Sequence, residues 1–274
     1  MKFKDILKKY WVVGVLVLAL AVTLIIISTH SVDNIHENIQ QDEKDHQQTD
    51  AVEAVTEAPT KVKQTSHMIP GVEDKVIVQD ELKAGCETYA CTMLFNILGF
   101  DIDEITFANQ YLDCHYVFED EDGNMTGPDM YSAFAGTAYA GWGVYAPSMA
   151  KSMNQYLKDE KSKLKAYNYE DIPLETLCEE YTDNDIPVMI WATTGMLEPY
   201  VFDTWTVNYV DENAKTEIGD TFEWLAHEHC LVLVGYDEDE YYFDDSAAGA
   251  VSHFDKDLVA ERYQQLGSQC IVVK

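Results

Sequence analysis

Cys86 follows Gly85 where an irregular segment, "VQDELKAG", gives way to the apolar run "CETYACTMLFNILGF". Gln79 lies a short loop upstream, His229 opens the apolar stretch "HCLVLVGYD", and Asp244 and Asp245 close the next one, "EYYFDD". Thiol, imidazole, carboxylate and amide in that order are the parts of a nucleophilic acyl-transfer site. A cysteine at a helix N-terminus faces unpaired N–H groups and a partial positive charge, which favour the thiolate. An imidazole can take the thiol proton and return it to a leaving group, provided a carboxylate fixes its tautomer. The Cys86 N–H and the Gln79 amide would then serve as oxyanion donors. Each residue alone also has an ordinary reading: core cysteine, surface histidine, turn aspartates, loop glutamine.

The elements that must carry these groups are legible from periodicity. "CETYACTMLFNILGF" predicts a helix with Tyr89, Met93, Leu94 and Ile97 on one face and Gly99 as its stop. "DIDEITFANQYL", "VYAPSMAKSMNQYLKD" and "LETLCEEYTD" predict three more helices. "IPVMIWAT", "DTWTVNY", "HCLVLVGYD", "EYYFDD" and "SQCIVV" predict strands, with a tight turn from Asp237 to Glu240 making a hairpin. Helices first and strands afterwards is an α+β order. On an extended strand His227 and His229 would share a side with Glu228 opposite, and without a third ligand the two imidazoles point to no metal. Cys91 and Cys230 read as core.

The 274 residues include 49 Asp plus Glu against 18 Lys plus Arg, a net charge of -31 with Arg262 as the single arginine. That balance excludes nucleic acid as a partner and disfavours docking of the folded part on an anionic membrane surface. It would draw in a basic peptide faster than an acidic one. Residues 1–10 carry four lysines, and Trp11 to Ile27 is an apolar run of about 17 residues, the lower limit for a spanning helix. Lysines before and acidic sequence after orient it with the N-terminus cytoplasmic. The expected organisation is therefore a signal-anchor over 11–28, a flexible extracytoplasmic linker over 29–67, and one domain over 68–274. A cleaved signal peptide is the alternative, and either way the chain is exported. Export leaves the six cysteines open to disulfide pairing.

The segments "QDELKAGCETYACTMLFNILGF", "GWGVYAPSMAKSMNQYL", "DIPVMIWAT", "HEHCLVLVGYDEDEYYFDDSAAG" and "GSQCIVV" resemble the C-39-like peptidases, papain-like domains common in exported bacterial proteins. The resemblance implies a papain-like α+β fold, with the cysteine helix in an N-terminal helical part and an antiparallel sheet in the C-terminal part. It implies a membrane-anchored cysteine peptidase of Gram-positive type, acting on a peptide or protein substrate as a monomer without cofactor. By matching positions it implies Cys86 as nucleophile, His229 as base, Asp245 as orienting acid and Gln79 as oxyanion-hole donor. The family's acid normally precedes a proline; here Phe243-Asp244-Asp245-Ser246 lacks it, so Asp244 stays a rival for the place facing His229. A silent papain-like binding module, or an amidase or transglutaminase-like enzyme, would fit the same residues.

Overall fold

The computed structural model describes residues 64–274. The expected signal-anchor and most of the expected linker lie outside the described residues. No helix among the described residues is long and apolar enough to cross a membrane.

The main sheet is antiparallel throughout. Its strands run in the order β13 (Ala250–Asp255), β12 (Glu240–Asp245), β11 (Glu228–Tyr236), β8 (Val188–Thr193), β14 (Gln269–Val273) and β7 (Ala166–Glu170). β1 (His67–Met68) pairs with Tyr236 and Gly235 at the end of β11. His67, placed at the end of the expected linker, is already paired in the sheet. A second sheet joins β10 (Thr221–Leu225), β9 (Val201–Tyr209), β4 (Met125–Pro128) and β3 (Phe118–Glu119). A third joins β2 (Cys114–His115), β5 (Phe134–Thr137) and β6 (Ala140–Gly143). Among the described residues five α-helices accompany the sheets: α1 (Cys86–Ile97), α2 (Glu104–Gln110), α3 (Ala146–Asp159), α4 (Leu174–Glu180) and α5 (Lys256–Gln265).

Alternation along β11 places the two cores. Cys230, Val232 and Val234 join α1 in one cluster, whereas Leu231 and Leu233 join Val259 and Tyr263 of α5 in the other. With both faces covered, β11 is buried over its whole length, which explains why its sequence is a continuous apolar run rather than an alternating one. α1 is likewise buried almost all round, from Cys86 to Phe95, instead of showing the single apolar face expected.

Each helix and strand named in the sequence is present, but the expected order of helices before strands is incomplete. Short strands occupy 114–143, and β13 and α5 follow the hairpin. α5 escaped notice because its polar surface dominates: only Val259, Arg262 and Tyr263 are buried, while Asp255 caps its start by accepting from Leu258 N at 3.0 Å.

Candidate active site

Gly85 and Cys86 reach their position because the chain folds tightly before α1. A Cβ on Gly85 would lie 2.8 Å from Leu82 Cβ and 3.1 Å from Ala138 Cβ, so only glycine fits between them. Cys86 starts α1 with no side-chain cap on the helix. It shares a cavity of about 460 Å³ with Gln79, Lys83, Trp142, Thr194, Trp224, Glu228, His229 and Ala247.

His229 and Asp245 meet on neighbouring strands of the hairpin. His229 Nε2 lies 2.9 Å from Asp245 Oδ1, with both side chains buried. That contact leaves Nδ1 as the ring nitrogen available to the cavity. Asp245 is well provided with donors: Ala247 N at 3.0 Å on Oδ1 and Ser252 Oγ at 3.0 Å on Oδ2. Burial alone would raise its pKa, but the hydrogen bond and charge of His229, then the Ser252 hydroxyl, outweigh burial and hold it below the usual carboxylate range. Asp245, not Asp244, is thus the carboxylate facing His229.

Asp244 points elsewhere. It pairs across the sheet with Val232 and Val251, is fully buried, and neither oxygen finds a hydrogen-bond donor among the described residues. Burial, then the charge of Glu73, pushes its pKa up to about 7. The folded chain therefore binds more protons than the unfolded chain between the ordinary carboxylate pKa near 4 and about 7. Stability is greatest below that window and falls as pH rises through it. Asp244→Asn is expected to remove this fall, worth up to about 4 kcal/mol at about 1.4 kcal/mol per pKa unit. Urea midpoints of wild type and variant compared at both ends of the window check this; parallel pH dependence would show that Asp244 is not the group responsible.

Gln79 lines the cavity, yet its amide is committed to the loop before the cysteine. Its Nε2 donates to Leu82 O at 3.0 Å and to Lys83 O at 3.2 Å, and its Oε1 accepts from Ser246 Oγ at 3.3 Å. Its main-chain N–H donates to Ser246 O at 2.9 Å, tying this loop to the turn after Asp245.

The thiol departs most from the sequence expectation. Cys86 makes no hydrogen bond with His229 among the described residues; its Sγ–H donates to Glu87 Oε2 at 3.4 Å. Its pKa is raised, first by burial and then by the charges of Glu87, Glu228 and Cys230; only the Cys230 main-chain N–H works the other way. Helix-terminal stabilisation is outweighed first by burial of the sulfur, and then by the carboxylate that the same helix turn brings against it.

Glu87 and Glu228 are the site residues that sequence reasoning missed. Glu87 reads as a first-turn acid favoured by the helix dipole, and Glu228 was expected to face away. In the structure β11 begins at Glu228, while His227 sits outside it with φ 68 and packs edge-on to Tyr200 at 5.6 Å. The extended backbone on which the two imidazoles would share a side is therefore absent at His227, and Glu228 is turned toward Cys86. The available signal was placement: one glutamate follows the cysteine and the other precedes the histidine. All six cysteines are unpaired, Cys91 and Cys230 being fully buried as expected.

This combination of a cysteine helix packed on an antiparallel sheet whose hairpin carries a His–Asp pair defines a papain-like α+β domain. The sequence profile of the Peptidase_C39 like family matches residues 61–271, and the chain belongs to that family. It is similar to the uncharacterised protein YvpB of Bacillus subtilis, 24% identical over 192 residues covering 69% of each chain. A Bacillus anthracis chain described as a C-39-like peptidase superposes with a TM-score of 0.60, covering 77% of this chain and 98% of that one. At 24% identity that likeness is one of fold.

Proposed function

We propose that the chain is a cysteine peptidase held at the outer face of the cell membrane by its apolar N-terminal run, with Cys86 as nucleophile, His229 as base and Asp245 as orienting acid. The observation that carries the reading is the buried His229–Asp245 contact of 2.9 Å, with His229 in the wall of the cavity that also holds Cys86 at a helix start. Asp245 holds Nε2, so Nδ1 accepts the thiol proton; the thiolate attacks a carbonyl, and the imidazolium then protonates the leaving amine. The Cys86 N–H, and a Gln79 N–H released from Lys83 O, would receive the oxyanion. Exposed Leu197 and Tyr200 precede β9, and exposed Val201 and Phe202 open it; Phe202 packs edge-on to the cavity residue Trp224 at 5.9 Å. Such a rim suits a peptide with bulky apolar side chains.

A second reading, a silent binding module on the same fold, is favoured by one observation: the buried thiol donates to Glu87 rather than to His229. Alkylation by iodoacetamide separates the two. In a peptidase Cys86 reacts faster than the other five cysteines at neutral pH, and His229→Ala removes the difference. Uniform slow labelling of all six would leave the binding module.

A further inference from the structure

Glu87 and Glu228 are buried beside Cys86, and the proton transfers described above use neither. Cys86 Sγ and one carboxylate oxygen from each glutamate lie within 4.8 Å of one another. Glu87 Oε1 accepts from Val144 N at 2.7 Å, which leaves Oε2 turned to the thiol. Glu228 Oε1 is shut off from solvent with no hydrogen-bond donor among the described residues. Beneath both lies Gly143, at φ 138, where any Cβ would collide with Glu87 Oε1 and sit 3.1 Å from Glu228 Oε2. Two buried carboxylates this close, one of them with an oxygen lacking a donor, form a costly arrangement, and a proton held on the pair relieves the repulsion between them.

We propose that Glu87 and Glu228 share a proton that acts on Cys86: while it is held, Glu87 Oε2–H donates to the Cys86 thiolate and the thiolate forms; once both glutamates ionise, it does not. The inference rests on the cysteine-peptidase reading. The thiol proton passes to His229 Nδ1, and the shared proton stays on the pair, so the Glu87–Cys86 hydrogen bond reverses its direction as the thiolate forms. Burial first, and for Glu228 the charge of Glu87 next, pushes both carboxyl pKa values up, so the proton persists far above the ordinary glutamate range. The other titratable groups around the pair are Cys86 on α1, His229 and Cys230 on β11, Tyr145 before α3, Cys114 on β2, and Lys83 in the cavity wall. Of these only Lys83 and a protonated His229 bring positive charge.

The two glutamates predict opposite responses in the alkaline limb of Cys86 alkylation. Glu87→Gln puts an amide N–H where Oε2 stood and keeps an oxygen for Val144 N, so the donor no longer titrates and the limb moves to higher pH. Glu228→Gln removes the like charge, Glu87 loses its proton more easily, and the limb moves to lower pH. A displacement of about one pH unit changes the rate about tenfold at a fixed pH on that limb.

The experiment measures iodoacetamide rates at Cys86 across pH in the full chain, wild type and both variants. Alongside it, infrared spectroscopy of Cys86→Ala carrying carbon-13-labelled glutamate reads the protonated glutamate carboxyl stretch apart from that of buried Asp244, whose pKa is also raised, to about 7. The expected results are limb shifts of opposite sign and a protonated carboxyl signal persisting about two pH units above the ordinary glutamate pKa of about 4.3. Absence of that signal overturns the proposal, as do shifts of the same sign or no shift in either variant. A divalent cation co-purifying at one per chain in place of the signal overturns it too. If His229→Ala leaves alkylation unchanged while the glutamate variants still shift it oppositely, the pair stands and the triad reading falls.

Discussion

Cys86→Ala is expected to bring hydrolysis of a mixed peptide library to the uncatalysed background, and His229→Ala to lower it on the order of 10⁴-fold or more. The two losses should not add. In the proposed mechanism nucleophile and base act as a unit, so the double variant should be no slower than Cys86→Ala. Asp245→Asn tests the orienting role. It keeps the shape of the side chain but loses the charge that sets the His229 tautomer and stabilises its protonated form, across a contact of 2.9 Å. Turnover should fall in this variant with little change in KM, because in the proposed peptidase substrate would touch Cys86 and not the buried carboxylate. Mass spectrometry of products over time gives both quantities. Library cleavage by Cys86→Ala at the wild-type rate would remove the cysteine from the mechanism.

The second large effect is on stability. Trp191 is the largest fully buried side chain, paired across the sheet with Cys230 and donating its Nε1–H to Val144 O at 3.0 Å. Trp191→Ala is expected to cost about 3–5 kcal/mol from lost burial and the cavity left behind. That is a large share of the roughly 5–15 kcal/mol by which domains are stable. Trp191→Phe keeps most of the volume but orphans the Val144 carbonyl, so about 1–2 kcal/mol is expected. Urea unfolding with an unchanged m-value measures both. The smaller change should also reach the site, because the same Val144 presents its N–H to Glu87 Oε1 at 2.7 Å. Slower Cys86 alkylation in Trp191→Phe, at matched folded fraction, is the expected sign. Equal losses for the Phe and Ala variants would mean that the hydrogen bond, rather than the packing, holds the residue.

The share of this protein legible in its sequence follows from the range of the forces involved. Helix periodicity, a glycine before a cysteine and the Asp237–Glu240 turn are local, and they located α1, β11 and β12 and singled out Gln79, Cys86, His229 and the pair Asp244 and Asp245 as candidates. The alternation of β12 could not by itself choose between Asp244 and Asp245. That choice needed the register with β11 and β13, which turns Asp245 toward His229 and leaves Asp244 among valines. The helix α5 was hidden because its apolar positions are few, and the short strands of 114–143 because runs of two to four residues leave no periodic trace.

By itself, the sequence determined that a thiol stands at a helix start and an imidazole opens a buried strand, since both depend on neighbours in the chain. Only the tertiary structure decided the state of that thiol. Glu87 and Glu228 are far apart in sequence and each is unremarkable in its own segment. Packing α1 against β11 over Gly143 brings both carboxyls against Cys86 and excludes water from them. Electrostatics between groups so placed depends on distance and burial through space, and neither is written along the chain.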